Sequence, residues 1–158
     1  MMYGRRPLTR LEAGLYAALV VLLVAVFLDR MLRLLAAAER DVVALTVANT
    51  EAALRTRLAV AVLLERPLPP DWRHRSPLEI AGVEVRHYVG ERARPAPADL
   101  ERGAWAFDSE ARELVYRPRY PIGLQIADRG ELLRFKLDAD PRQGQIRLVA
   151  SVAYTWTP

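Results

Sequence analysis

A chain of 158 residues holds enough for one modest domain and an anchor, and too little for two full cores. It has no Cys, which excludes a disulfide framework, a thiol nucleophile and a Cys-ligated metal. The 23 basic residues outnumber the 19 acidic ones, but Arg5, Arg6 and Arg10 all precede an apolar run and the remainder is near balance, which argues against a nucleic-acid surface.

That run, residues 13–28 (AGLYAALVVLLVAVFL), lies between Glu12 and Asp29 without a charge and rises about 24 Å as a helix. Leu8 and Leu11 extend it upstream; Met31, Leu32, Leu34 and Leu35 extend it downstream, where Arg30 and Arg33 can snorkel toward a headgroup layer. Two soluble alternatives fare worse. A core helix would not carry so unbroken an apolar run with Arg clustered on one flank, and a cleaved signal peptide would need a small-x-small site that Asp29-Arg30-Met31-Leu32 does not offer. The expectation is a single-pass anchor in a bacterial inner membrane, with the Arg-rich N-terminus cytoplasmic and the rest periplasmic.

From residue 15 to residue 66 there is neither Gly nor Pro, and Pro67, Pro69 and Pro70 end the run, so one long helix is expected over residues 1–66 and a β-rich domain over 67–158. Beyond the apolar run the pattern turns amphipathic. Leu28, Met31, Leu35, Ala38, Val42, Leu45, Asn49, Ala52, Thr56, Ala59 and Leu63 follow three-four spacing, with most charges elsewhere. Such a stripe needs a cover: the β domain on its distal half, or the helix of another copy or of a partner.

Residues 67–76 (PLPPDWRHRS) predict a turn-rich linker. Its Arg73, His74 and Arg75 suit solvent, a neighbouring subunit or lipid headgroups. Residues 80–89 alternate as a strand, with Val83 and Val85 on one face. An irregular stretch holds Pro95 and Pro97. Residues 104–107 and 113–116 flank Asp108-Ser109-Glu110-Ala111 as a hairpin, and residues 132–137 and 146–156 flank a second turn containing Asp140-Pro141 and Gly144. The fold class expected is α+β: a long transmembrane helix continuing outside the membrane onto a small antiparallel sheet, one face on the helix and the other wet.

Catalytic signals are missing. His74 and His87 have no metal-ligand spacing, the Ser residues have no nucleophile motif, and no Gly-rich phosphate loop occurs, so the expectation is a non-enzyme with no cofactor and no small-molecule substrate. Asp138 and Asp140, with Gly144, offer oxygens to Ca²⁺, or simply a hairpin turn. Trp105, Phe107 and Tyr116 alternate as core aromatics or as a binding patch.

An apolar N-terminal helix that continues far beyond the membrane, then a loop and an antiparallel sheet, resembles the type IV pilin-like proteins, including the pseudopilins of type II secretion. Leu11-Glu12 before the apolar run is similar to the start of that family's helix, and GAWAFDSEARELVYRPR (residues 103–119) resembles a stretch of small pilin-like proteins. The resemblance implies that Glu12 pairs with the N-terminal amine of an adjacent subunit; local pairing with Arg5 or Arg10 is the alternative. It also implies partners among other pilin-like or secretion-system subunits, met through Leu28, Met31, Leu35, Val42, Leu45, Ala52 and Leu63. Pro7 stands where the family's processing peptidase expects Gly, and Arg10 falls inside the mature apolar start, so the resemblance does not extend to the processing site. A membrane-anchored scaffold or assembly factor unrelated to pilins is the other reading.

Overall fold

The computed structural model describes residues 9–65, 71–140 and 145–158, with the side chain of Asp140 outside that set. One unbroken helix, α1 (Arg10–Leu63), runs 54 residues, about 80 Å at 1.5 Å per residue. It starts on a capping box: the Glu12 amide donates to Thr9 Oγ1 at 3.3 Å, and the Thr9 amide donates to Glu12 Oε2 at 2.8 Å. Every residue from 10 to 34 is exposed on all sides of the helix, and the segment is long and apolar enough to cross a membrane. The domain begins at Ala36, which is fully buried.

Among the described residues α1 is followed by single turns at Trp72–His74 and Pro97–Asp99, a short helix α2 (Pro77–Ala81) and seven strands. These are β1 (Tyr88–Arg92), β2 (Trp105–Asp108), β3 (Glu113–Tyr116), β4 (Leu124–Ile126), β5 (Leu133–Asp140), β6 (Gln145–Ala150) and β7 (Tyr154–Trp156). Five form a sheet in the order β1-β2-β3-β5-β6, while β4 and β7 pair separately. Both expected hairpins are present, β2–β3 with Trp105 opposite Tyr116 and β5–β6 with Leu137 opposite Leu148.

Three expectations need correcting. The sheet is mixed, because β1 pairs parallel to β2. The strand expected over residues 80–89 forms only at its end, in β1, and residues 77–81 are helical: Pro77 fits the first turn without needing its missing N–H, and Gly82, at φ +66°, takes the left-handed conformation that ends the helix. The segment from 146 onward breaks after Ala150, so β7 leaves its neighbour to pair with β4, a strand the periodicity did not suggest.

The main core lies between α1 and the inner sheet face. Trp105, Leu114, Tyr116, Leu133, Phe135 and Leu148 pack with Val43 and with Leu78 of α2. The Trp105 and Tyr116 rings are 4.6 Å apart and Phe135 stands 6.0 Å from Trp105, so the aromatic alternation is core. A second cluster joins Leu54, Trp72, Ile80, Ala81 and Ile146. The outer sheet face is wet only in part. Leu100 covers Ala106 and Val115 together with Leu132, whereas Lys136, Arg147 and Val149 are exposed.

Candidate interaction surface

The face of α1 that receives the domain is not the one its apolar periodicity picks out. Buried positions on α1 are Ala36, Val43, Thr50 and Leu54, with Val47 and Leu58 partly buried beside them. Leu28, Met31, Val42, Leu45, Ala52 and Leu63 are exposed, Val42 to 60% and Leu45 to 59%, and Leu35 is half-buried. At about 100° per residue the two stripes are centred roughly 140° apart around the helix. Of the covers expected for the stripe, the β domain on its distal half is therefore corrected: the domain takes a different face of α1 and leaves Val42, Leu45, Ala52 and Leu63 exposed.

Val43, with Val47 beside it, packs against the cluster that holds Trp105, Tyr116 and Phe135, while Leu54 packs with Trp72, Ile80 and Ile146; Ala36 and Thr50 are small and fully buried on the same face. Thr50 is fully buried and donates its hydroxyl to the Thr46 carbonyl at 2.7 Å, so it brings no unsatisfied polar atom into the contact.

Two carboxylates on α1 fasten the domain. Glu39 Oε1 accepts from the Tyr116 hydroxyl at 2.5 Å and from the Arg119 amide at 2.6 Å, and Oε2 accepts from the Tyr120 amide at 2.7 Å. Twelve residues further along, Glu51 Oε1 accepts from the Leu148 amide at 2.7 Å; Arg55 bridges Glu51 Oε2 and the Ile146 carbonyl, each at 3.0 Å. Ile146 and Leu148 are alternate residues of an edge strand, so helix side chains occupy the backbone groups that would otherwise invite another strand. Neither latch is announced by the sequence, in which Glu39 and Glu51 are charges on a long helix. The capping box was not among the sequence-based expectations either, although the Thr9-x-x-Glu12 spacing is its signal.

Beside α1 a cleft of about 430 Å³ opens between the helix and residues 83–87, walled by Leu35, Val42 and Asn49 on one side and Val83, Val85 and Trp105 on the other, with Arg86, His87 and Arg119 at its rim. The exposed stripe thus merges with a groove. His87 is exposed and its carbonyl accepts from the Trp105 amide at 3.0 Å. His74 sits in the Trp72–His74 turn. Trp72 of the same turn packs with Leu54, about 39 Å along the helix from Leu28, so the Arg73-His74-Arg75 cluster lies far from the apolar run.

No protein-family model, no curated protein and no solved structure matches this chain. Among the described residues no three His, Asp or Glu side chains gather in a metal-holding group. Asp138 stands exposed on β5, while the Asp140 side chain and residues 141–144, which complete the turn weighed for Ca²⁺, lie outside the described set. Glu12 Oε2 is held by the Thr9 amide, and Arg5, one of its two expected local partners, is also outside that set.

Proposed function

We propose that this protein is a non-enzymatic, single-pass membrane subunit of pilin-like design, a structural component of a type II secretion or type IV pilus assembly. The observation that carries the reading is one continuous helix whose first part is apolar on every side and whose second part bears a domain on one face and an open apolar stripe on another. A fully apolar surface suits lipid; a one-sided stripe beyond it suits another helix rising alongside from the same bilayer. The N-terminus lies in the cytoplasm and the domain in the periplasm on this reading, which rests on the Arg bias around the run. The stripe residues Met31, Leu35, Val42 and Leu45 carry the contact with neighbouring subunits.

The test is co-purification from membranes. Val42→Arg or Leu45→Glu places a charge in the stripe, on positions the domain does not cover, and should abolish recovery of partner subunits while membrane insertion and the domain's unfolding transition stay intact. Undiminished recovery would count against the assembly.

One observation favours a second reading, a membrane-anchored scaffold or assembly factor unrelated to pilins. Glu12 is engaged in a capping box that starts the helix at Arg10, a local role that asks for no subunit amine. N-terminal sequencing of the mature protein separates the two in one direction, since trimming to Leu8 supports a pilin.

A further inference from the structure

The membrane-anchored reading, on which this inference rests, fixes a distance. Residues 10–34 of α1, exposed on all sides, span about 38 Å as helix, against about 40–45 Å for a bilayer with its headgroup layers. The domain starts at Ala36 with no free helix left over, so it meets the bilayer without a stalk. The segment on that side is identified by the Glu39 latch. Arg119 and Tyr120 are tied through their amides to a carboxylate only about 8 Å along the helix from Leu34.

What the latch holds there is basic. Residues 117–125, RPRYPIGLQ, contain two Arg, a Tyr and no acid. Arg86 shares the cleft rim with Arg119 and Tyr120. The Arg119 guanidinium rests on the Arg102 carbonyl at 3.3 Å, and Arg102 lines a second hollow with Arg117, Pro118 and Pro121. Arg117 is committed internally, to the Leu100 carbonyl at 2.6 Å and to Glu131 at 3.6 Å. Arg86, Arg102 and Arg119 are exposed and make no ion pair among the described residues. Two acids stand among them, Glu84 lining the cleft with Arg86 and Arg119 and Glu131 lining the second hollow with Arg102; Glu131 pairs with Arg117, neither pairs with these three Arg, and Glu39 has both oxygens occupied by its three hydrogen bonds.

We propose that Arg86, Arg102 and Arg119 form a docking surface for anionic phospholipid headgroups, seating the domain flat on the bilayer and setting the direction in which the open stripe faces. Arg forks suit phosphate oxygens, and Tyr120 supplies the amphipathic ring that interfacial positions favour. The free energy of each Arg at an anionic surface is small, but tethering by α1 makes the encounter intramolecular, so small increments suffice to hold an orientation.

The absence of native Cys allows single nitroxide labels on the full chain in liposomes of phosphatidylcholine, with or without phosphatidylglycerol. Labels at Pro121→Cys, Leu23→Cys and Arg73→Cys would be compared for collision with a water-soluble nickel chelate. We expect the 121 label to lose severalfold in nickel accessibility when phosphatidylglycerol is present, the 73 label to stay accessible, and R86Q/R102Q/R119Q to restore access at 121 without changing the near-UV spectrum. A 121 label equally accessible in both liposomes, or shielded equally in both, overturns the docking surface. The label at 23 reports separately: accessible there, the membrane reading itself fails; shielded there with 121 wet, only the docking surface does.

Discussion

Glu39 shows how a charge on a helix becomes structural. Its three hydrogen bonds converge from a phenol and two consecutive amides, and each bond to an ionised acceptor contributes about 1.5–3 kcal/mol before solvent competition reduces it. Because Glu39 is half-exposed, water recovers part of the loss, and Glu39→Ala should cost the domain about 2–3 kcal/mol in urea unfolding followed by Trp fluorescence. The same site predicts a pH effect. Tyr116 is pushed above its ordinary 10.0 by burial first and by the Glu39 carboxylate second; burial also raises Tyr88 and Tyr154. A phenol that holds its proton more tightly when folded stabilises the domain fully below pH 10, and loses that contribution as the pH climbs through the folded value. The domain should therefore weaken steeply above pH 10, and Tyr116→Phe should flatten that alkaline limb while removing one hydrogen bond at neutral pH. A limb of unchanged slope in the variant would show that Tyr116 does not couple to folding.

Among the elements, what was legible follows locality. The hairpins β2–β3 and β5–β6 are neighbours in sequence, their strands alternate, and Asp108 closes the first turn by accepting from the Glu110 and Ala111 amides, both at 3.1 Å. The β1–β2 parallel pair and the β4–β7 pair join distant segments with nothing local to announce them. The α2 signals, Pro77 in the first turn and Gly82 after the last, were in the sequence but lost to an apparent alternation downstream. The stripe on α1 misled for a different reason. Hydrophobic periodicity marks where large aliphatics are, while the domain takes Val43 and Leu54 from another face of the helix together with two latching carboxylates. The second latch gives the element-scale prediction. Glu51→Ala removes the acceptor from the Leu148 amide and loosens Arg55 from Ile146, uncovering the β6 edge. Hydrogen exchange at the Leu148 amide should accelerate by an order of magnitude or more, with the β2–β3 amides little changed; unaltered protection at Leu148 would mean that the edge is held by packing alone.

At the scale of the whole molecule, α1 belongs to two environments. Its first part is exposed throughout residues 10–34, and its second part supplies Val43 to one core and Leu54 to the other, besides both latches. Removing the first part should then cost the domain nothing, whereas removing the second should leave a sheet whose inner aromatic face has no cover. A fragment of residues 34–158 keeps Ala36, Glu39, Val43, Thr50, Glu51 and Leu54, and is expected to show the native near-UV signal and one cooperative transition. A fragment of residues 52–158 still has every strand but lacks Glu39, Val43, Thr50 and Glu51, and is expected to lose that signal, because exposing Trp105, Tyr116 and Phe135 forfeits about 1.5–3 kcal/mol for each large apolar side chain returned to water, comparable in total to the stability of a small domain. If the shorter fragment folded cooperatively, the helix would be an accessory laid on a finished domain. Loss of the signal in the shorter fragment alone would place the α1–sheet boundary inside the folding unit, which ties the direction of the apolar segment rigidly to the face that the stripe presents.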